Sequence, residues 1–292
     1  MGAMKATPAV PAAAEPRTAA ETFRARYGPW AVVAGGSEGL GEEFARQLAT
    51  RGLNLVLIAR RREPVERLAA ELRTSAGVDV VAAPLDLAAP DLAERITDVT
   101  RDRDVGLGVY NAAFSAIGPF LDQDLATKLR TVDVNCRGPL VLAHVLGPRL
   151  AARGRGGLIL MSSLAGTQGS PLVATYAATK AFNLVLGESL WDELRTHGVD
   201  VLTCRAGATR TPNFEATRPN TDGTPVMAPG PVVAAALAAL GRKPSVVPGW
   251  ANRAAGFVLG RLLPRRTAIR IMGNATRKMF RDAPASASTP AP

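Results

Sequence analysis

Tyr176 and Lys180 stand four residues apart in ATYAATKAF, and Ser163 precedes the tyrosine by thirteen. Four residues is about one helical turn, so a helix there sets phenol and ammonium on one face. A cation beside a phenol favours the phenolate and lowers its pKa from roughly 10. A tyrosine tuned in that way exchanges a proton near neutral pH. The same spacing also occurs on ordinary surface helices, so its meaning depends on the elements that carry it.

Six short apolar runs alternate with longer helical patterns. WAVVAG (30–35), LNLVLIA (53–59), VDVVAAPLD (78–86), VGLGVYNAA (105–113), GGLILMSS (156–163) and VDVLTCRAG (199–207) read as strands. They are apolar on both faces, as a parallel sheet covered by helices requires. The helical patterns between them include one long run from about 122 to 152 and another that carries Tyr176 and Lys180. Several end at a glycine, at Gly52, Gly77 and Gly198, which suits a left-handed cap. The alternation predicts an α/β fold: a Rossmann-type doubly wound parallel sheet flanked by helices, in one domain over 28–250. The Pro- and Gly-containing stretch 208–230 reads as a substrate loop. Residues 1–27 read as a flexible tail and lead-in, 251–281 as a basic amphipathic helical extension, and 282–292 as a disordered tail.

The first strand runs into Ala34-Gly35-Gly36-Ser37-Glu38-Gly39-Leu40-Gly41 and then a helix. Small residues there let backbone amides approach a pyrophosphate, and the helix N-terminus adds partial positive charge. Past the second strand come Ala59, Arg60, Arg61 and Arg62. An NAD site keeps a carboxylate at this strand end for the ribose hydroxyls, whereas a guanidinium pairs with a 2′-phosphate. Arg60 and Arg61 therefore favour NADP(H) over NAD(H). Glu38 opposes that preference, and a solvated helix start rich in arginine is the plainer reading of the same residues.

The chain has 292 residues, 47% of them hydrophobic, enough for one large α/β domain. Its net charge of +10 is local: 251–281 holds eight Arg and Lys and no acid. For that segment three uses stay open. One is peripheral contact with an anionic membrane surface, one is a clamp over a substrate cleft or an oligomer contact, and one is plain packing with arginines in water. Pro264 should divide it into two helical pieces. No recognised module or stacking-aromatic pattern accompanies the charge, so nucleic acid is not an expected partner. No apolar run reaches membrane-spanning length, and the N-terminus has no secretory core segment. Cys136 and Cys204 form neither a metal pattern nor a disulfide framework, and no metal site is expected. A reducing, cytoplasmic setting fits.

These motifs, in this order, resemble the short-chain dehydrogenase/reductase family. Ala34-Gly35-x-x-x-Gly39-Leu40-Gly41 is similar to its glycine loop. Asp86, with Leu87 beside it, resembles the aspartate that holds the adenine amino group. Asn111-Ala112-Ala113 resembles the N-A-G part of its N-N-A-G signature, with Tyr110 in the first position. Asn135 resembles the active-site asparagine, Ser163 the catalytic serine, and Tyr176 with Lys180 the Y-x-x-x-K pair. Ala206-Gly207-x-x-x-Thr211 resembles the P-G-x-x-x-T segment. The opening YGPWAVVAGG is similar to the hydroxysteroid dehydrogenase and long-chain 3-ketoacyl-CoA reductase branch.

The resemblance implies a homodimer or homotetramer and interconversion of a ketone and a secondary alcohol, acting on CH–OH/C=O groups. The substrate it implies is lipophilic, steroid-like or 3-ketoacyl. Tyr176 would exchange the proton, Lys180 hold the nicotinamide ribose, and Ser163 bond the carbonyl oxygen. Asn135 would fix a water, and Thr209 and Thr211 would touch the nicotinamide amide and pyrophosphate. The alternative is an NADP(H)-binding regulatory or scaffold protein without turnover.

Overall fold

The six apolar runs become neighbouring strands of one parallel sheet. The structure, a computed structural model, describes residues 18–281. The strands are β1 (Trp30–Ala34), β2 (Asn54–Ala59), β3 (Val80–Pro84), β4 (Val105–Tyr110), β5 (Gly156–Ser163) and β6 (Val199–Ala206). A seventh, β7 (Ser245–Val246), pairs with Thr203 and Cys204 at the sheet edge. Two residues are too few to leave a periodic signal, so sequence reading missed it. The sheet order is β3-β2-β1-β4-β5-β6-β7.

Side chains alternate between two buried layers, as the pleat demands. Val33, Leu55, Leu57 and Val109 face a core closed by α2 (Gly39–Thr50), α3 (Arg62–Ala76) and α9 (Pro229–Ala239). Val32, Val56, Ile58 and Leu158 face the other, closed by α4 (Leu92–Thr100), α6 (Gly138–Arg153) and α7 (Ala174–Arg195). Burial on both faces explains why the strands read as continuous apolar runs.

The long helix expected over 122–152 is two helices. α5 (Leu125–Val132) passes through a π-helical turn, Asp133–Arg137, into α6. Pro139 has no N–H to offer the carbonyl of Asn135, and the Tyr110 hydroxyl donates to Val134 O. Tyr110, which departs from the family signature, thus pins the break.

The expected lead-in is also revised. Residues Ala19–Tyr27 form α1, started by a capping box in which Thr18 and Glu21 exchange bonds. Tyr27 is buried, and its hydroxyl donates to Asp200 Oδ2 at 2.7 Å beside Arg26. The earlier part of that expected tail, and the one at 282–292, lie outside the described residues. The 208–230 stretch is likewise more ordered than expected. Thr211 caps a short helix, α8 (Pro212–Ala216), and Thr209 bridges Met227. The basic extension is α10 (Trp250–Phe257), a π-helical turn, a break at Pro264, and α11 (Arg265–Met279).

Candidate functional site

The chain leaves β1 for β2 and β3 on one side, and for β4 to β7 on the other. In such sheets a crevice opens beyond the strand ends where the order reverses. A cleft of about 750 Å³ lies there. Every sequence-predicted site residue lines it except Gly41 and Asn135.

At one end the glycine loop turns with Gly35 at φ +81° and Gly39 at φ +57°. A Cβ on Gly35 would stand 2.6 Å from Ala112 N, so that position admits no side chain. Glu38 begins α2 without capping it through its side chain. The first-turn amides beside Ser37, Gly39 and Leu40 therefore face the cleft without a side-chain cap, a cradle that fits a pyrophosphate. A Cβ on Gly41 would sit 1.8 Å from Gly35 O, so this glycine lets α2 lie against the loop.

Asn111 also braces the loop, donating from Nδ2 to Gly35 O at 3.0 Å. Ala112 and Ala113 continue that wall. Beyond Ala59, Arg60 and Arg61 line the cleft, and Arg61 pairs with Glu38 at 2.6 Å. Glu38, expected to repel an extra phosphate, thus carries its own counter-charge. Leu87 and Asp86 follow β3. Burial works against the Asp86 charge, but the Ala88 N–H and Arg130, 3.0 Å away, hold its carboxyl below the usual range.

In the middle of the cleft Ser163 ends β5, while Tyr176 and Lys180 share the first turns of α7. Lys180 is 2% exposed; its Nζ lies 5.5 Å from the Tyr176 ring centre and donates to Met161 O at 2.9 Å. Burial lowers its pKa to about 8. The half-buried Tyr176 differs from the expectation. Burial pushes its phenol up, against an opposing bond with Ser163. The neighbouring Ser162 donates to Lys180 O at 2.7 Å, which leaves Ser163 as the serine facing Tyr176.

Asn135 stands behind this group and is fully buried. It accepts from Phe114 N at 2.8 Å and donates to Phe114 O and Thr179 Oγ1. Its side chain holds the segment after β4 against α7. Ala206 and Gly207 end β6, where Gly207 packs on the Asn252 side chain. Thr209 donates to Gly207 O at 3.1 Å and Thr211 accepts from Phe214 N at 3.2 Å, both as loop caps.

Ile117, Gln168, Leu259, Met272, Met279 and Phe280, none of them singled out in the sequence, line the far end of the cleft. α10 and α11 lie across the catalytic loop: a Cβ on Gly260 would be 3.0 Å from the Thr167 methyl, and one on Gly273 3.2 Å from Pro171. Arg265 donates to Thr167 O at 2.9 Å, and Lys278 ties the other end to Asp222 O. Of the three uses left open for the extension, the clamp over the cleft is the one this packing matches; the membrane contact gains no support from it. Among the described residues no helix is long and apolar enough to cross a membrane.

The short chain dehydrogenase family model matches residues 29–222. A 7β-hydroxysteroid dehydrogenase of Clostridium sardiniense is 34% identical over 79% of this chain and 89% of its own. A very-long-chain 3-oxoacyl-CoA reductase of Podospora anserina is 35% identical over 88% of this chain and 77% of its own. Among solved structures, a 7β-hydroxysteroid dehydrogenase studied for its stereoselectivity superposes with a TM-score of 0.81 at 30% identity, covering 86% of this chain and 98% of the other. A short-chain dehydrogenase from Sphingobium yanoikuyae in complex with NADPH gives 0.70 at 32%, covering 75% and 87%. With a dinucleotide cradle at the switch point and the serine, tyrosine and lysine beside it, the chain belongs to the short chain dehydrogenase family of NAD(P)-dependent oxidoreductases acting on CH–OH and C=O groups.

Proposed function

We propose that the protein interconverts a lipophilic ketone and its secondary alcohol with NADP(H). The observation that carries this reading is the place of Tyr176: its hydroxyl stands with Ser163 at the junction between the nucleotide cradle and a chamber walled by Met272, Met279 and Phe280. Bound nicotinamide supplies or accepts the hydride. Tyr176, protonated because its phenol is pushed up, gives a proton to the oxygen that gains charge. Ser163 donates to the same oxygen and stabilises that charge. Lys180, poised near pH 8, holds ribose hydroxyls and relays protons between the phenol and solvent past the Asn135 turn.

Arg60 and Arg61, following a strand end with no carboxylate, support the preference for NADP(H). The reductase names of the relatives and the apolar far wall support a lipophilic substrate, steroid-like or 3-ketoacyl. Leu125, Leu129, Phe182 and Val185 form an exposed apolar stripe on α5 and α7, which supports a homo-oligomer joined there. The test is oxidation of NADPH and NADH against a panel of steroid ketones and 3-ketoacyl thioesters. Turnover with NADPH at least tenfold above NADH is expected. A purified protein that binds NADPH and reduces nothing in the panel is instead the nucleotide-binding regulator or scaffold.

A further inference from the structure

The inward packing of the basic extension makes it a clamp; its outward face is a separate matter. α10 and the π-helical turn after it run without a break from Trp250 to Leu262. Trp250, Ala254, Phe257 and Val258 keep the spacing of one helix face, and the wider π turn returns Leu262 to it. Trp250 is 78% exposed, Leu262 62% and Phe257 58%. The inward side is thin and partly polar. Asn252 is buried and donates to Pro248 O at 3.1 Å, Gly256 meets Leu164, and Leu259 lines the cleft. A surface helix normally turns its apolar stripe to the core, so this stripe lacks its cover. Single exposed apolar residues are ordinary, but a continuous stripe of large ones marks a surface that meets something.

The charge around the stripe selects what it meets. Arg253 stands four residues before Phe257 and Arg261 four after it, so both flank the stripe on its own face. Arg265 and Arg266 follow Pro264, and all four arginines are exposed. Among the described residues none of the four pairs with a carboxylate. No acid occurs from 251 to 281. A second copy docked by the same patch about a two-fold axis would set these cations against themselves. An anionic bilayer answers both features at once. Its headgroup phosphates take the guanidinium groups, and the acyl boundary takes tryptophan, phenylalanine and leucine. Arginine stems bury their methylenes while their heads stay at headgroup level.

We propose that the outer face of α10 and the turn after it seats the protein on an anionic phospholipid surface, lying in the interface without crossing it. The inner face stays the wall of the cleft. Lipid then stands one helix diameter, about 10 Å, from the substrate end at Leu259. This holds whether or not the ketone-reducing reading does.

The probes are large unilamellar vesicles of phosphatidylcholine, alone or mixed in equal parts with phosphatidylglycerol. In co-sedimentation the full chain should partition roughly tenfold or more better onto the anionic vesicles, and less so as salt rises. Phe257→Ser with Leu262→Ser should lower that partition at least tenfold. Arg253→Gln with Arg261→Gln should shrink the preference for anionic lipid several-fold. Both double variants should melt with the wild type, since all four side chains are exposed. Acyl-chain-brominated anionic vesicles should quench tryptophan emission, and Trp250→Ser should lose the quench, which separates insertion from adsorption by charge alone. Equal partition onto the two vesicle types, or binding that survives Phe257→Ser with Leu262→Ser, overturns the proposal. So does a quench that survives Trp250→Ser, and this measurement decides if the serine pair melts early. A wild type that leaves vesicles unbound, while the serine pair lowers its mass in light scattering, also overturns it, as the stripe is then a contact between copies.

Discussion

At the nucleotide end of the cleft the lining residues follow within a few positions of strand ends: 35–40 after β1, 60–61 after β2, 86–87 after β3, 111–113 after β4. At the substrate end the wall combines the turn after β5, the 208–225 stretch and an extension beginning at 250. The first end is made of backbone and bonds that fix one geometry, such as Asn111 to Gly35 O. The second is made of side chains brought together from segments about a hundred residues apart. The nucleotide end therefore serves a ligand of constant shape, while the substrate end can be remade by changing one helix.

Tyr176 sits on the seam, and its loss should have the largest effect. Tyr176→Phe is expected to lower kcat by about 10²–10⁴-fold. NADPH affinity by fluorescence titration should stay within about twofold. Comparable losses in both would mean the two ends are not separable.

Lys180 gives the next largest effect. Its folded pKa, about 8, lies below the unfolded value of 10.5 because of burial. The unfolded chain thus binds the proton more tightly, and below pH 8 the charge destabilises the fold. That penalty fades as pH rises from about 8 to 10.5. Lys180→Met should be more stable than wild type at neutral pH, by an amount on the order of 3 kcal/mol as an upper figure. The gap, measured by denaturant unfolding without ligand, should close in alkali; a gap independent of pH would mean that the lysine charge is met by other groups.

The nucleotide end is sharpened at Arg61. Arg61→Ala frees Glu38 and removes a guanidinium from the strand end, so NADPH affinity should fall about tenfold, near 1.4 kcal/mol. NADH affinity should change less. Parallel losses would place Arg61 in loop structure alone.

The substrate end yields the smallest effect. Met272→Ala on α11 should raise KM for an apolar ketone several-fold, with kcat and NADPH affinity near wild type, since contact area is lost but no reacting group moves. Loss of NADPH binding in this variant would show that the extension supports both ends.

How much was legible follows the same division. The glycine loop, Asn111, Ser163 and the Tyr176–Lys180 pair could be read because each needs particular residue types at short spacing. The six inner strands could be read because burial on both faces leaves an uninterrupted apolar run. The α1 capping box was present as Thr18-x-x-Glu21 but lay in an Ala- and Pro-rich context that read as tail. The break at 133–137 had Pro139 as its signal, while its partner, Tyr110, could be matched to it only across the sheet.

The sequence alone determined the strand–helix alternation, the nucleotide loop and the one-turn spacing of Tyr176 and Lys180. These rest on local backbone geometry and on periods of two and 3.6 residues. Tertiary structure alone decided that Glu38 is paired with Arg61, that burial raises the Tyr176 phenol, that α10 and α11 roof the cleft, and that Gln168 is buried without a partner. Desolvation and pairing depend on which distant segments exclude water from a group, and no spacing along the chain encodes that.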